Sequence, residues 1–346
     1  MSDVQQDSLV DEQRKRVAEQ ARRSMRAGDW IDRLGILVPF VVVFVLGGIF
    51  APNFLSLGNI RNVLVDASLT AIVGYGMTLA IALRGLDLSV GSIIGLSGCL
   101  TAIGVNAFGV VPGIAIGVLA GLAAGVLNGT IIAYLRVPAF VATLGTQGIL
   151  RGSALLITGG SSIIAANRAF AGIATARPLG VPVILIVAIV LLAAAYLFLE
   201  RTAIGRHIAA IGGRPEAAVD SGIAVRRVTL ITFAVVGLAA GISGVLTASQ
   251  LVTVDGTLGT GEELQIIAIA ILGGTSLAGG SGNMFGTFVA AVLLSMVSAI
   301  LNLLNIPTFY QYLAVGLLLL LALSLDSFRR RGQRNLLQGG RAWPTK

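Results

Sequence analysis

Residues 181–228 read VPVILIVAIVLLAAAYLFLERTAIGRHIAAIGGRPEAAVDSGIAVRRV. The first part, residues 181–199, has no charged side chain. As a helix it is long enough to cross the roughly 30 Å of hydrocarbon in a bilayer. The second part, residues 200–228, carries five arginines. An apolar stretch of this length followed by a basic polar loop indicates a membrane span that ends at an aqueous surface.

The chain as a whole has the composition of a membrane protein. It is 55% hydrophobic and 12% charged, with a mean hydropathy of +0.91, whereas soluble domains carry about 25% charged residues. The 45 glycines suit helices that pack closely in lipid. We predict an all-α, polytopic membrane helical bundle of about ten transmembrane helices. The predicted spans lie near residues 34–50, 60–83, 90–108, 111–134, 138–157, 181–199, 229–250, 264–278, 284–305 and 308–325.

The basic residues orient these spans. With the N-terminus inside, twenty of the 24 lysines and arginines fall in cytoplasmic segments, and only Arg61, Arg168 and Arg177 fall outside. Positive charge concentrates on the cytoplasmic side of membrane proteins, so both termini are predicted to be cytoplasmic. The basic pI then reflects topology and contact with anionic membrane lipid rather than nucleic acid. The predicted domains are a cytoplasmic arm at residues 1–33, a transmembrane domain at residues 34–325 and a basic cytoplasmic tail at residues 326–346.

Three scarce residue types exclude most enzyme classes. Cys99 is the only cysteine and His207 the only histidine, so zinc sites, Cys–His pairs and Ser–His–Asp triads cannot form within one chain. The two lysines, Lys15 and Lys346, lie outside any G-x-x-x-x-G-K-[ST] motif, which a P-loop requires for ATP binding. We therefore expect no enzyme activity, no metal site and no cofactor bound by this chain.

Two predicted spans carry polar side chains at helical spacing. Such side chains are costly in a membrane and typically face a bundle interior or an aqueous path. Asp66 and Arg151 both lie near the predicted outer ends of their spans. We hypothesise that they pair or line the outer mouth of a solute pathway. Alternatively, each reaches the interface or ties two helices together. The candidate pathway residues are Asn62, Asp66, Thr70, Thr143, Gln147 and Arg151.

The fourth predicted span contains a glycine at every fourth position from Gly113 to Gly129. Small residues at this spacing let a neighbouring helix approach closely. Because an α-helix has 3.6 residues per turn, the groove winds around the helix and can serve more than one neighbour.

Two glycine-rich turns share the pattern G-x-x-L-x-x-G-S. They are RGLDLSVGS at residues 84–92 and GGTSLAGGS at residues 273–281. The match indicates either a duplicated half, as many transporters have, or shared turn chemistry. The candidate residues of the two turns are Gly85, Asp87, Ser89, Gly91, Gly273, Gly274, Gly279 and Gly280.

Two longer segments contain these turns, GYGMTLAIALRGLDLSVGSIIGLSG (74–98) and ELQIIAIAILGGTSLAGGSGNMFGT (263–287), and a third segment is FVATLGTQGILRG (140–152). Together they resemble the ribose-type sugar permeases of bacterial ABC importers. The resemblance implies a membrane-spanning subunit in the bacterial cell inner membrane, paired with a second permease that is identical or a paralogue. It also implies ATPase subunits that bind ATP and magnesium, and a periplasmic or lipid-anchored solute-binding protein.

By the same resemblance, the EAA-x-x-x-G pattern in residues 200–228 is the segment that couples the permease to the ATPase. The residues implied are Arg214, Glu216, Ala217, Ala218 and Gly222. An ordinary interfacial loop helix is the alternative. The expected function is import of a monosaccharide or similar polar solute by alternating access. The alternatives are an ABC permease for a signalling furanose, a nucleoside or a branched-chain amino acid, or an ion-coupled secondary transporter. The last would require paired carboxylates buried in the membrane.

Overall fold

The computed structural model describes residues 36–307 and residues 309, 310, 313, 316, 317 and 320. Within this part of the chain the fold is all-α, as predicted, apart from one 3-10 turn and two short strands. The helices are α1 (Leu37–Phe50), α2 (Leu57–Ala82), α3 (Val90–Phe108), α4 (Val110–Tyr134), α5 (Ala139–Thr158), α6 (Arg168–Thr175), α7 (Val183–Arg201), α8 (Ala203–Gly213), α9 (Pro215–Asp220), α10 (Val225–Leu251), α11 (Glu262–Leu272) and α12 (Met284–Leu303). The strands are β1 (Ile163–Ile164) and β2 (Thr253–Val254), which pair antiparallel. The predicted arm and tail lie outside the described residues.

Among the described residues, seven helices are long and apolar enough to cross a membrane: α2, α3, α4, α5, α7, α10 and α12. Helix α1 has 14 residues and α11 has 11, so both are shorter than a full span. The predicted span over 264–278 is wrong in its second part, because the helix ends at Leu272 and Gly274 adopts a φ of 95°. That left-handed backbone is favourable for glycine and ends the helix. Most of the predicted span over 308–325 lies outside the described residues.

The glycine ladder of α4 packs against two helices. Gly113 contacts the backbone of Val105 on α3, and Gly121 contacts the backbone of Gly241 on α10. A Cβ at either position would overlap these atoms, so the close approach requires glycine. The prediction that the groove serves more than one neighbour is confirmed.

Helix α2 lies at the centre of the bundle. It packs against α7, α10, α11 and α12, and every residue from Ala71 to Ala82 is buried. Because interiors are packed at the density of organic crystals, α2 cannot shift without displacing its neighbours.

The linker between α2 and α3 lies inside the bundle. Its Asp87 is fully buried and accepts a hydrogen bond from Asn128 on α4. Asn128 precedes the last residue of α4, Tyr134, by six residues, which corresponds to about 9 Å along the helix axis. Helix α3 therefore begins within the body of the protein rather than at its surface.

The loop between β2 and α11 enters the bundle from the opposite end. Asn106, near the end of α3, donates a hydrogen bond to the Ile164 carbonyl in β1 at 2.8 Å, so the strands lie where α3 ends. From there the loop reaches the beginning of α3, where Gly259 contacts the backbone of Gly91. The α2–α3 linker (residues 83–89) and the loop before α11 (residues 255–261) thus meet inside the protein, and we call them the two interrupted segments.

Candidate functional site

Four buried polar side chains join the α2–α3 linker to α4 and α5. Asp87 Oδ1 accepts hydrogen bonds from the Ser89 backbone nitrogen at 2.9 Å and the Ser89 hydroxyl at 2.6 Å. Asn128 Nδ2 donates to Asp87 Oδ2 at 3.2 Å and to Ser89 Oγ at 2.8 Å. Thr146 Oγ1 donates to Asn128 Oδ1 at 2.6 Å. Because a satisfied polar network in a protein interior specifies one arrangement, these bonds fix the linker in place.

Sequence reasoning found Asp87 and Ser89 through the shared turn but missed Asn128 and Thr146. A signal for Asn128 was available, because it is an amide within the apolar, glycine-rich fourth span. A polar side chain there requires a partner. Its partner lies 41 residues away in sequence, so the sequence did not name it.

Thr143 supports the same linker. It is fully buried, and its hydroxyl donates to the backbone carbonyls of Leu86 at 3.1 Å and Ala139 at 2.9 Å. This position fits support of the linker better than the lining of an open pathway.

The beginning of α3 presents glycines to the loop before α11. A Cβ at Gly95 would lie 2.5 Å from the Leu258 carbonyl oxygen, and a Cβ at Gly91 would overlap the Gly259 carbonyl and the Glu263 carboxylate. Glycine therefore lets the loop backbone lie directly on the helix, as in closely packed membrane helices.

Arg151 on α5 holds this loop. Its Nη1 donates to the carbonyl oxygens of Gly256 at 2.8 Å and Leu258 at 2.6 Å. Gln147, one turn earlier, donates from Nε2 to Glu263 Oε1 at 3.3 Å. Arg151 thus contacts the interruption that precedes α11, and Gln147 contacts the first turn of α11 itself.

The structure does not bring Asp66 and Arg151 together. The Asp66 carboxylate on α2 interacts with the Gln250 side chain on α10, whereas Arg151 is engaged by the loop carbonyls. The main neighbours of α5 are α3 and α4, while α2 packs elsewhere in the bundle. The hypothesis of a direct pair is therefore wrong for this conformation. Asn62 is exposed on α2, and the Thr70 hydroxyl donates to the Asp66 backbone carbonyl at 3.1 Å.

The polar loop at residues 200–228 forms the helical pair α8 and α9. Thr202 caps α8 by accepting a hydrogen bond from the Gly205 backbone nitrogen at 3.1 Å. Gly222 has a φ of 75°, and the Ile223 N–H donates to the Ala218 carbonyl at 3.1 Å. This is the hydrogen-bonding pattern of a glycine-terminated helix, so Gly222 ends α9.

An open cavity of about 410 Å³ lies between α8 and α9. Arg214, Ala217 and Ala218 are among the residues that line it. Ala218 is buried against the protein, whereas Arg214, Glu216 and Ala217 are exposed. Small side chains around a concave surface permit a segment of another protein to approach closely, as helix-in-groove recognition requires.

The two glycine-rich turns meet beside the end of α8. The Gly280 backbone nitrogen donates to the Ala82 carbonyl at the end of α2, at 2.8 Å. Gly85 packs against the Phe233 ring, and Gly273 packs against the Thr287 backbone. The glycines of the second turn with positive φ are Gly274, Gly279 and Gly280.

An all-helical bundle with membrane-length helices and segments interrupted inside it is the architecture of a multi-pass membrane transport protein. Residues 59–323 match the family described as "branched-chain amino acid transport system / permease component". The chain belongs to this family of transport permeases, whose members are not enzymes.

Individual relatives are sugar permeases. The chain is 37% identical over 305 residues to the ribose import permease protein of Escherichia coli, which covers 86% of this chain and 94% of the relative. It is 36% identical over 312 residues to the L-arabinose ABC transporter permease protein of Azospirillum brasilense, covering 89% and 92%. The ribose import permease protein of Bacillus subtilis is 37% identical over 300 residues, covering 86% and 93%. The resemblance found in the sequence motifs is confirmed. No solved structure was found to match the chain.

Proposed function

We propose that this chain is the membrane-spanning permease subunit of a bacterial ABC importer that moves a monosaccharide into the cytoplasm. The observation that carries the proposal is the identity of 36–37% to ribose and arabinose permeases over almost their whole length. This chain contains no P-loop motif for nucleotide binding. The proposal therefore places ATP and magnesium on separate ATPase subunits, and no cofactor on the permease.

The proposed topology has about ten transmembrane helices, with both termini in the cytoplasm. The proposed location is the inner membrane of a bacterial cell. The topology is supported by the excess of basic residues in the loops assigned to the inside. In this topology the α8–α9 pair and the two glycine-rich turns are cytoplasmic, and the β1–β2 pair is periplasmic.

The ATPase is proposed to dock at the cavity between α8 and α9. The support is the small Ala217 side chain beside exposed Arg214 and Glu216, which offer charge at the rim of an apolar concave surface. Polar groups around an apolar centre are the ordinary anatomy of a protein interface. A second permease copy or paralogue and a periplasmic or lipid-anchored binding protein complete the proposed importer.

Alternating access is proposed to act through the interrupted segments. Interrupted helices provide backbone that lines a transport path and can rearrange. Arg151 contacts the loop before α11, and Gln147 contacts Glu263 in the first turn of α11, so these two predicted pathway residues lie beside such a rearrangement. Asn62, Asp66 and Thr70 stay predictions for the outer part of α2.

The experiment is reconstitution of the permease with the ATPase and binding protein encoded beside it, in proteoliposomes. Uptake of labelled ribose, arabinose and leucine is measured with and without internal ATP. ATP-dependent uptake of a pentose supports the proposal. Uptake of leucine alone would favour an amino-acid importer, and uptake that follows an ion gradient without ATP would overturn an ABC mechanism.

A further inference from the structure

Arg84 occupies an unusual position directly after α2. Its backbone φ is 67°, a left-handed conformation that is uncommon for residues other than glycine. Such backbone is strained and persists only where the surrounding structure holds it. The side chain is exposed, so the conformation is not explained by packing into a core.

The Arg84 guanidinium joins two other segments. Nε donates to the Ala278 carbonyl oxygen at 2.6 Å, and Nη2 donates to the Gly213 carbonyl oxygen at 3.0 Å. Gly213 is the last residue of α8, and Ala278 lies in the second glycine-rich turn. A cation is favourable at a helix C-terminus, where carbonyl groups lack helical partners. Arg84 therefore links the end of α2, the end of α8 and the turn after α11.

Backbone contacts make this junction tight. A Cβ at Gly212 would overlap the Ala82 carbonyl and the Gly280 backbone nitrogen, and Gly279 packs directly against the Arg84 side chain. The direct hydrogen bond between Gly280 and Ala82 adds a third connection. The end of α8 thus has no room to move independently of the two turns.

The junction leads to the interior of the protein in two directions. Three residues after Arg84 comes Asp87, which is fixed to Asn128 by the buried network. In the other direction, α11 is 11 residues long and connects the second turn to the interrupted loop held by Arg151. The junction is therefore connected to both segments that meet at Gly91, through Asp87 on one side and through α11 on the other.

We propose that Arg84 is a positioning residue that transmits movement of the α8–α9 pair to α2 and to the turn after α11. The inference rests on the proposed function, in which α8 and α9 receive the movement of the ATPase. The rigid planar guanidinium suits this role, because it donates in two fixed directions from one side chain. Because the Arg84 side chain is exposed, we expect its removal to change coupling more than global stability.

The test compares Arg84→Ala with wild type in proteoliposomes that contain the ATPase and binding protein. Ribose or arabinose uptake, whichever wild type supports, is divided by the ATP hydrolysed in the same sample. We expect uptake per ATP to fall by about tenfold in Arg84→Ala. Retention of the ATPase on the affinity-purified permease and the melting temperature are expected to remain as in wild type. Arg84→Lys keeps the charge but loses the fork of donors, and it is expected to give an intermediate ratio.

Arg136→Ala is the matched control. Arg136 also follows a long helix directly at the same end of the bundle, has a positive φ of 58° and is exposed. Its substitution is expected to leave uptake per ATP within about twofold of wild type. Equal uptake per ATP in Arg84→Ala and Arg136→Ala would overturn the inference. Lower ATPase retention or a lower melting temperature of Arg84→Ala that accounts for its loss of uptake would also overturn it. Absence of ATP-dependent uptake in wild type would instead overturn the proposed function.

Discussion

Gly91 and Gly259 lie backbone against backbone inside the protein, and a Cβ on either residue would overlap the carbonyl oxygen of the other. Gly91 is the second residue of α3, and Gly259 lies three residues before α11. The contact therefore depends on two glycines that are far apart in the sequence, and it joins the two interrupted segments.

Gly91→Ala is expected to push these segments apart. Overpacking a tight interior site costs about 1–3 kcal/mol, so we expect a lower melting temperature of the purified permease in detergent. Gly148→Ala on α5 is the control, because a Cβ there would meet nothing within 4 Å. Equal melting temperatures for the two variants would show that the backbone contact is not required.

Asn128→Ala is expected to leave the buried Asp87 carboxyl without one of its donors. Loss of a partner for a buried polar group costs about 1–3 kcal/mol, and thermal unfolding of the purified protein measures the loss. Thr130→Ala on the same helix is the control, because Thr130 is exposed and its hydroxyl bonds only to the Val126 carbonyl of its own helix. If both variants unfold at the same temperature, the network does not stabilise the linker.

Arg151→Ala is expected to release the loop at residues 255–261. Removing the donor to Gly256 and Leu258 leaves the loop backbone less protected, because local opening depends on such hydrogen bonds. Hydrogen exchange measured by mass spectrometry should become faster in peptides from this loop. Arg168→Ala, at an exposed position in α6, should leave their exchange unchanged. Unchanged exchange in Arg151→Ala would exclude this role.

Ala217→Arg is expected to block ATPase docking. The new side chain would enter the cavity between α8 and α9, which Ala217 lines, and we expect the amount of ATPase retained on the purified permease to fall by about tenfold or more. Val219→Arg places the same charge on the same helix at a side chain that is 61% exposed and does not line this cavity. Retention that falls equally in both variants would mean that added charge, rather than the cavity, causes the loss.

The membrane-length helices could be predicted from the sequence, because the length of an apolar stretch determines whether it can span the membrane as a helix. The helical nature of α2 through α5 follows from long, predominantly apolar runs, and the end of α9 follows from Gly222 alone. The winding contact surface of α4 was also predictable, since it depends only on glycine spacing and helix geometry.

The depth of the interruptions could not be predicted. The linker with Asp87 and the loop with Gly259 have the composition of ordinary surface turns. Their burial depends on partners distant in sequence, such as Asn128 and Arg151. Arg151 in particular donates to backbone carbonyls more than 100 residues away. Because every residue has a backbone carbonyl, the sequence does not identify which one accepts the hydrogen bond. A direct pair with the Asp66 side chain, which was one of the alternatives that the sequence left open, was wrong for that reason.

The shortness of α11 has a consequence for how this protein is made. Insertion machinery recognises apolar segments of roughly 18 residues or more, and α11 has 11. We therefore expect α11 to enter the bilayer only after α12 has been inserted, when α2, α3 and α12 offer it a preformed cleft. On this view the interrupted segment is the last part of the described chain to reach its place during biogenesis, and nascent chains that stop before α12 should leave it accessible to water-soluble thiol reagents at an introduced cysteine.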